Sequence, residues 1–410
     1  MDQNPHASRI DAIDFLRGGA VLGILAVNIT GFWGPSLATF SPAIPGPATI
    51  GGEAWFAFAF VVFEGKMRAL FTILFGSSMI LFVRAAERAG VDPDLAQVRR
   101  LGWLALFGYA HYALLWWGDI LFPYALCGLA VLALRKLEVP QLLAIAIPFY
   151  LIAHGIETLA SLPGVFVEQA VLSGHGAAAD VAEQTAMMQR IFASVAKDDA
   201  VLQAGFIEAV RLKLSSGPFQ PFLVTLSTLT ETVPLMLVGM ALLRGGFFTH
   251  WPSRRLLGMA LAGIAGGGIP SILALRWLAA HDWPPRAMFL AIEDGMAVPH
   301  LLMALGYAAG LVLIFPRAGR TRLGQALVAA GRCAFTNYLG TTVLMSAIFC
   351  HWGLGLGPEL PRQWLFLFVI LGWAAMLAWP CWWLVRFGQG PLERLWRRLA
   401  LPSARPRDRG

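Results

Sequence analysis

Apolar runs long enough to cross a bilayer alternate with short polar breaks from residue 14 to residue 385. A helix rises about 1.5 Å per residue and needs roughly 20 apolar residues to traverse the hydrocarbon core. Spans are therefore predicted near 14–33, 68–86, 101–117, 120–134, 141–161, 222–243, 256–276, 292–315, 333–350 and 364–385. The fold class that follows is all-α, a polytopic transmembrane helical bundle of about ten spans, with residues 1–389 forming one bundle. Segment 53–63 is apolar but too short to cross. It reads as an interfacial or re-entrant helix leading into the span at Arg68, or as the first part of one bent helix broken at Gly65. The longest break, 162–221, mixes Asp180, Glu183, Asp198 and Asp199 with Ala-rich helical sequence and is expected to form one or two amphipathic helices over the outer mouth. In segment 390–410, Leu392, Leu395, Trp396 and Leu399 interleave with Arg394, Arg397 and Arg398, the pattern of a short amphipathic tail lying on anionic headgroups.

Composition agrees with the pattern. Of 410 residues, 57% are hydrophobic and 13% charged, about half the charged share of soluble proteins. The net charge of +7 raises the question of nucleic acid, but the bases follow the alternation of the loops. With the N-terminus inside, the inner segments hold about three times as many Lys and Arg as the outer ones, a positive-inside bias. The basicity thus reports topology: a multi-pass protein of a bacterial inner membrane, both termini cytoplasmic, with the lipid bilayer as partner and no nucleic acid. The residues Met1 to His6 lack the basic region and small-residue cleavage site of a signal peptide, so the first span is expected to be retained. Cys127, Cys333, Cys350 and Cys381 have no C-x-x-C spacing, and neither a disulfide framework nor a metal site is expected. P-loop, H-E-x-x-H, G-x-S-x-G and Rossmann fingerprints are lacking, and no bound cofactor is expected.

The informative residues are the polar ones inside the spans, since ionisable groups at membrane depth cost several kcal/mol unless they face protein or water. At about 100° per residue, Arg17 and Asn28 fall about 60° and about 40° from Asp14, so the three share one face of the first span. Asp14 and Arg17 are an i,i+3 pair, either fixing helix packing or forming an anion site with Arg17 as the phosphate donor. Asn28 is either an interhelical hydrogen bonder or an amide that orients substrate. Glu64, Lys66 and Arg68 sit near the outer boundary, where Lys and Arg snorkel. His111 lies mid-span with a side chain suited to proton transfer. Asp119 follows eight residues later, ~12 Å along a continuous helix, so a water or third residue is expected between them. Glu231, the pair His154 and Glu157, Glu293 and Asp294 with His300, and Asn337 complete the set. Asn28, Lys66, His111, Asp119, Glu231 and His300 map to one half of the membrane under this topology and are expected to line a polar cavity opening outward, with Arg17 at a second, inner mouth.

The blocks Asp14-x-x-Arg17-Gly18-x-Ala20-x-x-Gly23-Ile24-x-x-Val27-Asn28 and Lys66-x-x-x-Leu70-Phe71-x-x-Leu74-Phe75-Gly76 are joined by His111 with Leu114-Leu115-Trp116-Trp117-Gly118-Asp119-Ile120-Leu121-x-x-Tyr124-Ala125. Thr336-Asn337-Tyr338-Leu339 and Gly390-Pro391-Leu392-Glu393-Arg394-Leu395-Trp396-Arg397 follow. Together, in this order and from end to end of the chain, they resemble the YeiB-like bacterial membrane family, domain-of-unknown-function family 418. The opening block is also similar to membrane acyltransferases of the heparan glucosaminide acetyltransferase type, which take an acyl group from cytosolic acyl-CoA and deliver it across the membrane. That resemblance implies a transmembrane relay through Asp14, Arg17 and Asn28. The histidine that those enzymes carry shortly after Val-Asn has no counterpart between Gly31 and Gly52; either His111 or His300 takes its place from another helix, or the chain does not carry out that chemistry.

The expectation is an acyltransferase that moves an acyl group from cytoplasmic acyl-CoA to an outer sugar, lipid or envelope-polymer acceptor. His111, Asp119, Asn28 and Glu231 are the expected catalytic residues, and Asp14, Arg17, Lys66, Arg68, His300 and Asn337 the substrate-binding ones. The alternative is a transporter or exporter of a small or lipidic solute, using the same charges as a proton relay.

Overall fold

The computed structural model describes residues 5–401, with side chains from residue 11 onward. The first residues of the N-terminus, the Arg9 side chain, and Arg405, Arg407 and Arg409 of the expected tail lie outside the described residues. Among the described residues all regular structure is helical: α1 (Pro5–Trp33), α2 (Ile50–Val62), α3 (Lys66–Arg88), α4 (Pro93–Leu114), α5 (Leu121–Leu132), α6 (Val139–Leu172), α7 (Ala178–Gln203), α8 (Phe206–Ser216), α9 (Gln220–Arg244), α10 (Ser253–Ala280), α11 (Pro285–Leu290), α12 (Ala297–Ala318), α13 (Arg322–Arg332), α14 (Ala334–Phe349), α15 (Leu365–Phe387) and α16 (Pro391–Ala400). Seven segments are long and apolar enough to cross a membrane, which makes the protein a polytopic membrane bundle. They are α1, the α2–α3 rod, α6, α9, α10, α12 and α15. The apolar helices α5 and α14 have only 12 and 16 residues, about 18 and 24 Å. Both lie within the bundle, where neighbouring protein satisfies the chain beyond their ends.

The rod α2–α3 is broken at Gly65, whose φ is 71°. The imidazole of His300 occupies the space that a Cβ there would need, so the break requires glycine both for its dihedral and for room. The helix α6 continues through Pro163 to Leu172, past residue 162, where the capping loop was expected to begin. One proline removes one ladder bond, and contacts at the far turn hold the extension. There the Glu168 carboxylate accepts from the backbone N–H of Arg286 (3.0 Å) and of Ala287 (3.2 Å), and from Gln184 Nε2 (3.1 Å). The rest of that loop forms the two helices α7 and α8. Asp198 of α7 accepts from Ser36 N at 2.8 Å, and Lys213 of α8 donates to the Tyr112 carbonyl at 3.2 Å. These contacts lay both helices over one end of the bundle, the loop end. The opposite end carries Arg17, Arg88, Arg100, Arg332 and Arg397 and is the arginine-rich end.

Helices α1 and α13 meet backbone to backbone. A Cβ on Gly18 would overlap the Leu327 carbonyl, and one on Gly331 would overlap the Asp14 carbonyl. That approach sets Arg332 beside the start of α1, where it donates to Asp11 at 2.6 Å and lies 3.7 Å from Asp14. Gly331→Leu is expected to push the helices apart and lower stability by about 1–3 kcal/mol, read as a lower thermal midpoint of the purified protein in detergent.

Candidate functional site

At the arginine-rich end a cavity of about 430 Å³ enters the bundle. Phe71, Phe75, Leu104 and Leu121 give it apolar walls, and among the described residues Arg17, Arg88, Arg100, Arg332 and Arg397 line it against two carboxylates, Asp14 and Glu393. Arg17 is fixed by a 2.6 Å bond to Asp14 and a 2.7 Å bond to Ser78 Oγ, so the i,i+3 pair holds a guanidinium at the cavity rather than cancelling it from afar. Arg100 is buried, with its guanidinium 4.5 Å from the Trp396 ring, 4.9 Å from Phe82 and 5.5 Å from Phe75. Its side-chain bond is a 3.4 Å contact to the Gln97 amide oxygen. Stacked guanidiniums and a greasy wall together suit a ligand with an anionic head and an apolar chain.

Helix α16 forms one wall of this cavity. Glu393 accepts from Thr336 N at 3.0 Å and Thr336 Oγ1 at 2.6 Å, and Trp396 Nε1 donates to the Arg100 carbonyl at 2.8 Å. The amphipathic tail expected to lie on headgroups is thus docked onto α4 and α14, because Leu392 and Trp396 find apolar partners in the core. Burial pushes the Glu393 carboxyl above the usual carboxylate range, while the bonds from Thr336 pull the other way. A raised acid pKa means that the docked state holds its proton to higher pH than the undocked one, so docking weakens as pH rises through that interval. Trp396 fluorescence and protease cleavage before α16 are expected to report looser docking at neutral pH than in mild acid, and Glu393→Gln to remove that dependence.

Tyr124 and Tyr338 line the inner part of the cavity. Behind Tyr338, with ring centroids 5.2 Å apart, stands His111. The His111 Nδ1 lies 2.8 Å from Asp119 Oδ1, a direct contact where the sequence led us to expect an intervening group. The expected ~12 Å separation assumed a continuous helix. Helix α4 instead ends at Leu114, and the chain turns back, so that the Asp119 carboxylate also caps α5 through Phe122 N at 2.8 Å. On its other side, His111 Nε2 lies 3.1 Å from Thr342 Oγ1, whose hydroxyl also reaches the Tyr338 carbonyl at 3.2 Å. When Nδ1–H donates to the carboxylate, Nε2 is left as an acceptor, free of the Thr342 proton whenever that hydroxyl donates to the Tyr338 carbonyl, the arrangement of an oriented general base. Thr342 and Tyr338 also line a small cavity of about 10 Å³ with Asn28, room for roughly one water. Asn28 therefore approaches the His111 group through Thr342.

The remaining expected site residues do not join this group. Glu231 forms its ion pair with Arg68 (2.8 Å) rather than with His111. Lys66 does not snorkel; it is fully buried, and Nζ donates to the Phe60 carbonyl at 2.7 Å. His300 packs against Gly65, and His154 pairs with Asp294 at 2.7 Å rather than with Glu157. Asn337 gives its amide to the Ala330 and Met376 carbonyls and accepts from Trp379 Nε1, so its polar atoms all serve packing. The single expected polar cavity is thus two polar groups, one around His111 and one around Arg68. Sequence reasoning missed Arg100, Thr342, Tyr338 and Glu393 as parts of the site. The Thr341-Thr342 pair in an apolar run was the available signal, while the rings about Arg100 come from distant stretches, Phe75 and Phe82 of α3 and Trp396 of α16.

Comparison with known proteins places the chain. The family described as protein of unknown function (DUF418) matches residues 242–402. Uncharacterized protein YeiB of Escherichia coli (strain K12) is 30% identical over 403 residues, covering 96% of this chain and 97% of that protein. Uncharacterized protein YxaH of Bacillus subtilis (strain 168) is 28% identical over 410 residues, with 97% and 96% covered. The uncharacterized 39.9 kDa protein in the amylase 3'region of Bacillus acidopullulyticus is 26% identical over 403 residues, with 97% and 96% covered. No solved structure matches the chain. End-to-end similarity at this level, on an all-helical bundle, makes the chain a member of the YeiB-like DUF418 family of membrane proteins.

Proposed function

We propose that the protein is an inner-membrane acyltransferase, taking an acyl group from acyl-CoA at the arginine-rich, cytoplasmic end and passing it to a hydroxyl or amine acceptor from the loop end. The observation that carries this reading is the adjacency of two parts: an arginine-lined apolar cavity, and behind its Tyr338 wall a buried histidine held by an aspartate. Arg17 and Arg100 would take the phosphates, and the phenylalanine and leucine wall the acyl chain. The acceptor's proton passes to His111 Nε2 as its oxygen or nitrogen bonds to the carbonyl carbon. The C–S bond then breaks, and the leaving thiolate takes the proton from the imidazolium, so that His111 ends as it began. Asp119 holds the ring and stabilises its charged form. Asn28, across the small cavity, would donate to the carbonyl oxygen. The His111 side chain is shut off from solvent, so the reaction also needs Thr342 or Tyr338 to move aside.

The test is turnover by the purified, reconstituted protein given labelled acyl-CoAs of several chain lengths and a panel of sugar and lipid acceptors. Saturable acyl-CoA binding with release of free CoA is the expected result. Failure of every acyl-CoA to bind would overturn the proposal.

A further inference from the structure

The second polar group lies around the break between α2 and α3. Glu64, Lys66 and Arg68 flank Gly65, with Glu231 contributed by α9 and His300 by α12. Glu293 and Asp294 come from a π-helical turn, Ala291–Gly295, placed between α11 and α12. Such turns unwind the backbone locally and recur at functional sites. Glu293 shares the field of Arg68, Glu231, Glu64 and Asp294. Tyr150 and His154 of α6 and Tyr124 of α5 are the other titratable side chains facing the group; the Tyr150 hydroxyl donates to the Ala297 carbonyl at 2.9 Å, and that of Tyr124 is bonded to Thr72 Oγ1 at 2.5 Å.

We propose that this cluster is a proton-binding site that exchanges with solvent at the loop end. Four carboxylates face two cations, and those cations are poorly shared. Arg68 is engaged with Glu231, and Lys66 is bonded to a carbonyl. Among the described residues neither Glu64 nor Glu293 has an ion-pair partner, while Asp294 has only His154. Uncompensated anionic charge at membrane depth costs several kcal/mol per group, so the resting cluster must take up a cation. Among the described residues no group of three or more His, Cys, Asp or Glu could hold a metal ion, whereas a proton needs no coordination shell. Hydrogen-bond acceptors for a carboxyl proton are at hand. Among the described residues, His300 Nε2 and His154 Nε2 are buried without hydrogen-bond partners, in residues only 4% and 6% exposed. The proton's way in lies at the loop end, because the π-helical turn that carries Glu293 follows α11, whose Arg286 N–H is held by Glu168 there, and because Glu293 and the Arg68 side chain reach the protein surface. This site is separate from the proposed acyl-transfer group and does not rest on it.

Infrared difference spectroscopy of the full-length protein in detergent, stepped through the neutral pH range, tests the proposal without any acyl donor. The wild type is expected to gain a protonated-carboxyl band on acidification. That band is diminished by Glu64→Gln or Glu293→Gln, and its midpoint is shifted by His300→Gln. The proposal fails if every carboxylate stays ionised across the range, if both glutamine variants keep the wild-type band unchanged, or if it answers to sodium and not to pH. Should a variant misfold on size exclusion, carbon NMR of the wild type with carboxyl-labelled glutamate and aspartate reads the protonation of the carboxyls directly. Titration of a buried carboxyl in the neutral range supports the site, and invariance of all of them overturns it. A negative result leaves acyl-CoA turnover free to succeed, and failure of turnover leaves the proton site standing.

Discussion

His111→Ala is expected to reduce acyl transfer by about 10²–10⁴-fold, the usual contribution of a positioned acid–base group. The imidazole is the one titratable side chain joined directly to both the buried carboxylate of Asp119 and the Thr342 hydroxyl beside Asn28. Acyl-CoA binding is expected to be nearly unchanged, because the arginines and the apolar wall lie on the other side of Tyr338. Asp119→Asn leaves the ring in place with the wrong partner for an imidazolium, and a large loss follows from that alone. Since the two residues act as a unit, the double variant should be no worse than His111→Ala. Equal losses of binding and turnover, or additive losses, would mean that the dyad only packs the bundle. Asp119 also caps α5 through Phe122 N, so the thermal midpoint of each variant must be read alongside its rate.

Much of the architecture was legible because the bilayer imposes one requirement on every crossing, a sustained apolar run whose backbone bonds internally. Seven of the ten spans drawn from the sequence fall in segments long and apolar enough to cross, the other three fall on α4, α5 and α14, and the break at Gly65 was visible in the same way. The site was legible only in part. Asp14 and Arg17 are neighbours on one helix, and helical spacing brings them together. The contact between His111 and Asp119 depends on where α4 stops, which residue spacing alone does not specify. Arg100 looked like one more positive charge marking the inner side, and its aromatic neighbours come from α3 and α16 as well as from the packing of α4 against them. Thr342 looked like an ordinary small polar residue in an apolar helix, and only the placement of α14 against His111 gives it a partner. Glu231 pairs with Arg68 and not with His111, since position along a helix axis does not determine which way a side chain faces.

Arg100→Met is expected to change stability and ligand binding in opposite directions. A guanidinium this deeply buried, with three aromatic rings and an amide oxygen about it and, among the described residues, no carboxylate paired with it, pays a desolvation cost that no ion pair returns. Methionine keeps a long, polarisable side chain against Phe75, Phe82 and Trp396 while removing the charge. The ligand-free protein should therefore be more stable by about 1–4 kcal/mol, the range seen when buried charges give way to packed apolar residues. Its affinity for acyl-CoA should fall, since a hydrogen bond to a charged group is worth about 1.5–3 kcal/mol, a weakening of about 10- to 100-fold. Thermal midpoints with and without acyl-CoA measure both effects in one experiment, because a ligand stabilises the folded state in proportion to its binding. If Arg100 instead served only to anchor α16 through Trp396, Arg100→Met would lower the ligand-free midpoint and leave the ligand-induced shift intact. Stability gained together with binding lost is what an arginine kept for an anionic ligand produces.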